Sequence, residues 1–88
     1  MAMGILGQHV TNVNADPITV YTVPAGKVAV FNIFARPPGN GSVKINNAII
    51  GYLSGGVNIE FKGIIGNAGT TVKFNNCSGI VTGYVEDA

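Results

Sequence analysis

The stretch Val23-Pro24-Ala25-Gly26-Lys27 followed at once by Val28-Ala29-Val30-Phe31-Asn32-Ile33-Phe34 constrains this chain more than any other. Pro presets the entry to a tight turn, and Gly supplies the positive φ that such a turn asks for. The run 27–36 that follows is rich in β-branched and aromatic residues and reads as a central strand. One face carries Val28, Val30, Asn32 and Phe34, and the other carries Ala29, Phe31, Ile33 and Ala35. An antiparallel sheet normally buries one face and wets the other. Here both faces are apolar, with one polar interruption. A chain of 88 residues has too few layers to cover both. The surplus face has to be buried against something else, most simply another copy.

Size and composition agree with that reading. A single domain of this length buries roughly 60–65% of its unfolded surface, so a lone copy is only modestly stable. The chain is 47% hydrophobic and only 10% charged, against about 25% charged residues in ordinary soluble domains. Its formal net charge of +1 speaks against nucleic-acid binding driven by counterion release. There is no apolar run of membrane-spanning length, so no membrane span is expected. Met1 to Gly7 has neither the positive charge nor the apolar core of a signal peptide. Thirteen Gly, four Pro and ten Asn punctuate short apolar runs, the signature of an all-β chain.

Residues 5–13 read as an extended arm or edge strand, and Asn14-Ala15-Asp16-Pro17 as a turn. This divides the chain into an arm or edge strand over 1–16 and one β-sandwich domain over 17–88. Strands are expected over 18–23 and 27–36, followed by a loop over Pro37–Ser42. Val43 to Ile50 reads as one strand, with Val43, Ile45, Asn47 and Ile49 on one side, and residues 51–56 as a bulge or turning connection. The alternation over 57–62 points Val57, Ile59 and Phe61 inward and Asn58, Glu60 and Lys62 outward, with Ile65 extending the inward set. After a turn at Gly66–Gly69, Val72 and Phe74 alternate with Thr71, Lys73 and Asn75. A second turn at Asn76–Gly79 leads to a last strand over Ile80–Val85. Seven or eight antiparallel strands spaced about ten residues apart predict a sandwich or small barrel. No helical periodicity is present.

Chemistry is sparsely provided for. The acids are Asp16, Glu60, Glu86 and Asp87, and the one histidine is His9. No pair of them is placed for general acid–base work, and no catalytic residue is expected. One His and one Cys, 68 positions apart, do not make a metal site, and no cofactor is expected. Cys77 has no internal disulfide partner; it reads as a small buried residue near a turn, or more sharply as an intermolecular thiol link. Gly63 to Thr71 lacks the Lys of a phosphate loop and leads into a strand, so it reads as a hairpin turn. Two matches to the glycosylation pattern, at Asn40 and Asn76, read as turns. Tyr21, Tyr52 and Tyr84 are candidate ligand-facing aromatics for a sugar, or simply tyrosines at the edge of the core.

The sequence Tyr21-Thr22-Val23-Pro24-Ala25-Gly26-Lys27 before an apolar strand resembles the opening of small β-sandwich structural proteins of tailed bacteriophages. The later segments are similar too: Ile59-Glu60-Phe61-Lys62-Gly63-Ile64-Ile65, then Ala68-Gly69-Thr70-Thr71-Val72-Lys73-Phe74, then Gly83-Tyr84-Val85-Glu86. The likeness covers about residues 18–87, with Thr70 where that family often has Asp, and with a short middle region. It implies a jelly-roll-like sandwich in the virion, made in the host cytoplasm. The implied role is capsid decoration, or cement, stabilising the phage head; a tail, neck or fibre part is the alternative. The partners implied are other copies in a homotrimer, together with the major capsid protein or other virion proteins, with neither nucleic acid nor membrane touched directly. A carbohydrate-binding module is the alternative of another class. The interface candidates are Val28, Val30 and Phe34, or Phe31 and Ile33 on the opposite face, with Leu6 and Val10 on an arm reaching to a neighbour.

Overall fold

Eight strands account for the regular structure: β1 (Gly4–His9), β2 (Ile18–Thr22), β3 (Lys27–Arg36), β4 (Ser42–Ile45), β5 (Ala48–Tyr52), β6 (Ile59–Asn67), β7 (Thr71–Asn75) and β8 (Ser78–Asp87). They come from a computed structural model that describes residues 3–10, 17–36, 40–53 and 57–88. The expected turn residues 14–16 and loop residues 37–39 lie outside the described residues, as do 54–56 of the expected connection. Every strand pair is antiparallel, and no helix occurs among the described residues.

The pairing is nested. β1 pairs with β8, β2 with β7, β3 with β6 and β4 with β5, so the chain doubles back on itself about the β4–β5 hairpin. Two further pairings, β3 with β8 and β4 with β7, roll this long hairpin into two four-stranded sheets. Sheet A runs β1-β8-β3-β6 and sheet B runs β2-β7-β4-β5. This is the eight-stranded jelly-roll order, and it is the sandwich expected from the spacing of turns.

The core lies between the sheets. Sheet A contributes Ala29, Phe31, Ile33, Ala35 and Val81, and sheet B contributes Val43, Val72 and Phe74, all fully buried. Val23, Leu53 and Cys77 close the ends. The inward face of β3 is therefore the Ala29/Phe31/Ile33/Ala35 face. The turn ahead of it forms as expected: the Lys27 amide donates to the Pro24 carbonyl at 3.2 Å, and Gly26 has φ 75°.

The structure corrects four expectations. Residues 43–50 are not one strand, because Asn46, at φ 56°, turns the chain and Ile45 pairs with Ala48. The turn is anchored from outside the hairpin: the Asn46 amide donates to the Thr71 carbonyl at 2.9 Å, and the Thr71 amide donates to Asn46 Oδ1 at 3.0 Å. Asn tolerates this left-handed conformation better than most residues. Val57 precedes β6 and is 60% exposed rather than inward. Ile65 faces outward. Phe31 pairs with Ile64 and Ile33 with Phe61, so β6 holds one extra residue between two core positions. Gly63, at φ 69°, takes up that residue, and its amide donates to Asn32 Oδ1 at 3.0 Å. A one-residue bulge inverts the alternation beyond it, bringing Ile64 to the core and Ile65 to the surface. Finally, Gly4–His9 is the edge strand of the chain's own sheet A, the second of the two forms expected for this segment, and not an arm reaching a neighbour.

Candidate interaction face

The two sheets present unlike outer faces. On sheet B, the cross-strand row Thr19–Lys73–Lys44–Ile49 runs across β2, β7, β4 and β5. Thr71 and Asn75 flank Lys73 on the same side of β7, because its alternate residues Val72 and Phe74 point into the core. Apart from Ile49, 44% exposed on the edge strand β5, this is the polar exterior that an antiparallel sheet normally carries.

Sheet A is different. The outward residues of β3 pair one for one with those of β8: Val28 with Glu86, Val30 with Tyr84, Asn32 with Thr82, Phe34 with Ile80 and Arg36 with Ser78. Val28, Val30, Phe34, Ile80 and Tyr84 are half-buried by their neighbours, and none belongs to the core cluster. The flanking strands add apolar surface. Ile65 of β6 lies beside Val30 and is 71% exposed; Ile5 of β1 lies beside Thr82 and is 65% exposed. Together these side chains form an apolar stripe of two rows separated at its centre by Asn32 and Thr82. Exposed apolar side chains grouped in this way make the outer face of sheet A the candidate interaction surface.

Charge is placed at the ends of the stripe. At one end Gln8, His9, Val10, Phe34, Arg36, Ser78, Gly79 and Ile80 line an open cleft of about 220 Å³. At the other end Glu86 stands beside Val28. The ion pairs among the described residues are Lys27 with Asp87 and Lys62 with Glu60, the latter at 3.8 Å; neither involves Arg36 or Glu86. The Lys27 ammonium holds the Asp87 carboxyl below its usual range, first by a hydrogen bond and then by its charge.

The interface candidates divide accordingly. Of the two alternatives, Val28, Val30 and Phe34 lie on the outer face of sheet A, and Val10, 73% exposed, borders its cleft. Phe31 does not belong with them. It is fully buried inside the chain's own core, as is Ile33, so neither can meet a second copy. Leu6, at a bulge in β1, also packs on the core. Ile65, Ile80, Arg36 and Glu86 were not singled out by sequence. Ile65 was hidden by the bulge, and the isolated Gly63 inside an alternating run was the available signal. Arg36 and Glu86 acquire meaning only from the β3–β8 register.

The three tyrosines occupy separate surfaces. Tyr21 lies against the core, edge-on to Phe31 with ring centroids 6.2 Å apart. Its Oη is buried without a partner among the described residues, and burial raises its pKa. Tyr52 is 70% exposed at the end of β5 in sheet B, and Tyr84 is on the outer face of sheet A. They make no common platform for a sugar ring. Cys77 is fully buried, its Sγ 3.7 Å from the Ser42 carbonyl oxygen, and burial raises its pKa despite a backbone hydrogen bond at Asn75. A thiol in that position is withheld from intermolecular linkage. No group of three or more His, Cys, Asp or Glu side chains that could hold a metal ion occurs among the described residues. Among the described residues no helix is long and apolar enough to cross a membrane.

A scan against protein-family models, a search of curated proteins and a search of solved structures each returned no match for this chain.

Proposed function

We propose that this chain is a structural component of a virion, a capsid decoration protein that works by associating through the outer face of sheet A. The observation that carries the proposal is that apolar stripe on β3 and β8. Val28, Val30, Phe34, Ile65, Ile80 and Tyr84 are held outward by strands whose other face is already committed to the core. Completing the burial of a half-buried aliphatic or aromatic side chain gains about 1 kcal/mol. Two such faces of six side chains contribute on the order of 12 kcal/mol, within the range of the association cost of about 4–15 kcal/mol. A cement protein needs a rigid body with an adhesive face, and the jelly roll provides both. The placement in a virion rests on the resemblance of residues 18–87 to phage structural proteins. The homotrimer that the resemblance implies is one assembly such a face could form.

The test is the copy number of the chain in purified virus particles from its source, by quantitative mass spectrometry. Hundreds of copies per particle are expected. A count in the single digits or low tens would replace decoration with a tail, neck or fibre role. Absence from particles would overturn the virion reading and bring forward the carbohydrate-binding module.

A further inference from the structure

We infer that two copies of this chain pack through the outer faces of sheet A about a two-fold axis that crosses Asn32 and Thr82, with Glu86 of each copy seated in the Arg36 cleft of the other. The inference rests on the proposal that this face mediates self-association, and it specifies the geometry.

The reason lies in the register. Taken along β3 and β8, the outward pairs read Arg36/Ser78, Phe34/Ile80, Asn32/Thr82, Val30/Tyr84 and Val28/Glu86. The order is a charged end, an apolar row, a polar centre, an apolar row and an oppositely charged end. A two-fold axis in the plane of the interface and perpendicular to the strands turns the face over and reverses its strands. It lays β8 on β8 and β3 on β3. Residue 82 then meets its own mate, 84 meets 80, and 86 meets 78; on β3, 30 meets 34 and 28 meets 36. Every apolar row falls on an apolar row. The polar centre falls on itself, Asn32 facing Asn32 and Thr82 facing Thr82, with the Asn32 Oδ1 already engaged by the Gly63 amide and its amino group left to meet its mate. Each Glu86 reaches the end where Arg36, His9, Gln8 and Ser78 border the cleft.

Matching of this kind is what an isologous contact requires, since one patch must complement itself. Turning the face about an axis parallel to the strands would instead set like ends together, Arg36 near Arg36 and Glu86 near Glu86. Arg36 and Glu86, which take part in neither ion pair found among the described residues, thus find partners in one arrangement and repel in the other. Opposite charges across an interface fix its register in this way. β3 and β8 are also the two central strands of sheet A, so the sheet twist displaces them least from alignment.

The test is charge exchange in the full chain, with mass read by sedimentation and light scattering and folding checked by circular dichroism. The wild type is expected to be a dimer. Arg36→Glu and Glu86→Arg should each weaken the dimer at least about tenfold, since each breaks both symmetric contacts. The double variant should restore it. A wild-type trimer would overturn the two-fold while leaving self-association standing, and a wild-type monomer would remove both. A dimer unchanged by either single reversal, or not restored by the double, would overturn the placement of Glu86 on Arg36.

Discussion

Sheets A and B are built from the same kinds of strand and face the same core, yet their exteriors differ in kind. Sheet B sets Lys44 directly opposite Lys73. Two ammonium groups in that position repel, and the arrangement is tolerable because water screens them. The Lys73 Nζ also donates to Asn47 Oδ1 at 3.4 Å. Sheet A sets Val30 opposite Tyr84 and Phe34 opposite Ile80 at the corresponding outer positions. Those pairs would be ordinary inside a sandwich. The difference teaches that an antiparallel sheet is not required to have a wet face; it has one where the protein meets solvent. On the proposal above, sheet B ends the structure and sheet A continues it into a neighbour.

The sharpest way to break this comparison is to truncate the two faces of β3 in turn. Phe31 is fully buried, so Phe31→Ala should cost about 3–5 kcal/mol, a large part of the stability of so small a domain. Denaturant unfolding followed by circular dichroism reads the loss. Phe34→Asp, three positions along, should leave the fold intact and abolish association. If the two substitutions destabilise the isolated chain equally, the two faces do not have separate roles.

A smaller effect is expected at the bulge that decides which way Ile65 points. Gly63 has φ 69° with open space where a Cβ would go, so the penalty of Gly63→Ala is that of the backbone alone, about 1–2 kcal/mol. A thermal unfolding midpoint indistinguishable from wild type would mean that β6 can re-register without the bulge.

Tyr21→Phe removes a buried hydroxyl with no partner among the described residues. It should be neutral or stabilising by up to about 1 kcal/mol. Because burial raises the Tyr21 pKa above its ordinary 10.0, the folded state favours the neutral phenol. Its contribution is complete below pH 10 and is lost as pH rises beyond that value. The Phe variant should therefore lose less stability than wild type in alkali, and equal losses would show that Tyr21 does not ionise with unfolding.

The smallest change concerns sheet B. Lys44→Glu turns a like-charge cross-strand pair into an attractive one and should gain about 0.2–1 kcal/mol, without altering association. A change in oligomer mass would show that sheet B's outer face takes part after all.

Local chemistry made much of the fold legible. The bounds of β3 follow from the Pro24–Gly26 turn before it and the Pro residues after it. Val72 and Phe74 were placed inward by simple alternation. Two features escaped because each turns on a single backbone conformation within an otherwise continuous run: the Asn46 turn that splits β4 from β5, and the Gly63 bulge that inverts β6. The apolar character of both faces of β3 was visible in sequence, but which face lay inside was not, since Val28/Val30/Phe34 and Phe31/Ile33 are equally apolar. Only the opposing sheet, with Val43, Val72 and Phe74, decides it. The pairing of Arg36 and Glu86 with the two ends of the stripe depends on which strands become neighbours, and short-range patterns carry no record of that.

The most direct test of the central claim is the solution mass of the full chain at micromolar concentration, by light scattering, beside that of Phe34→Asp. A wild type at a multiple of 9.0 kDa and a folded variant at 9.0 kDa are predicted. A wild type that remains at the mass of one chain would contradict the claim that the outer face of sheet A is covered by another copy.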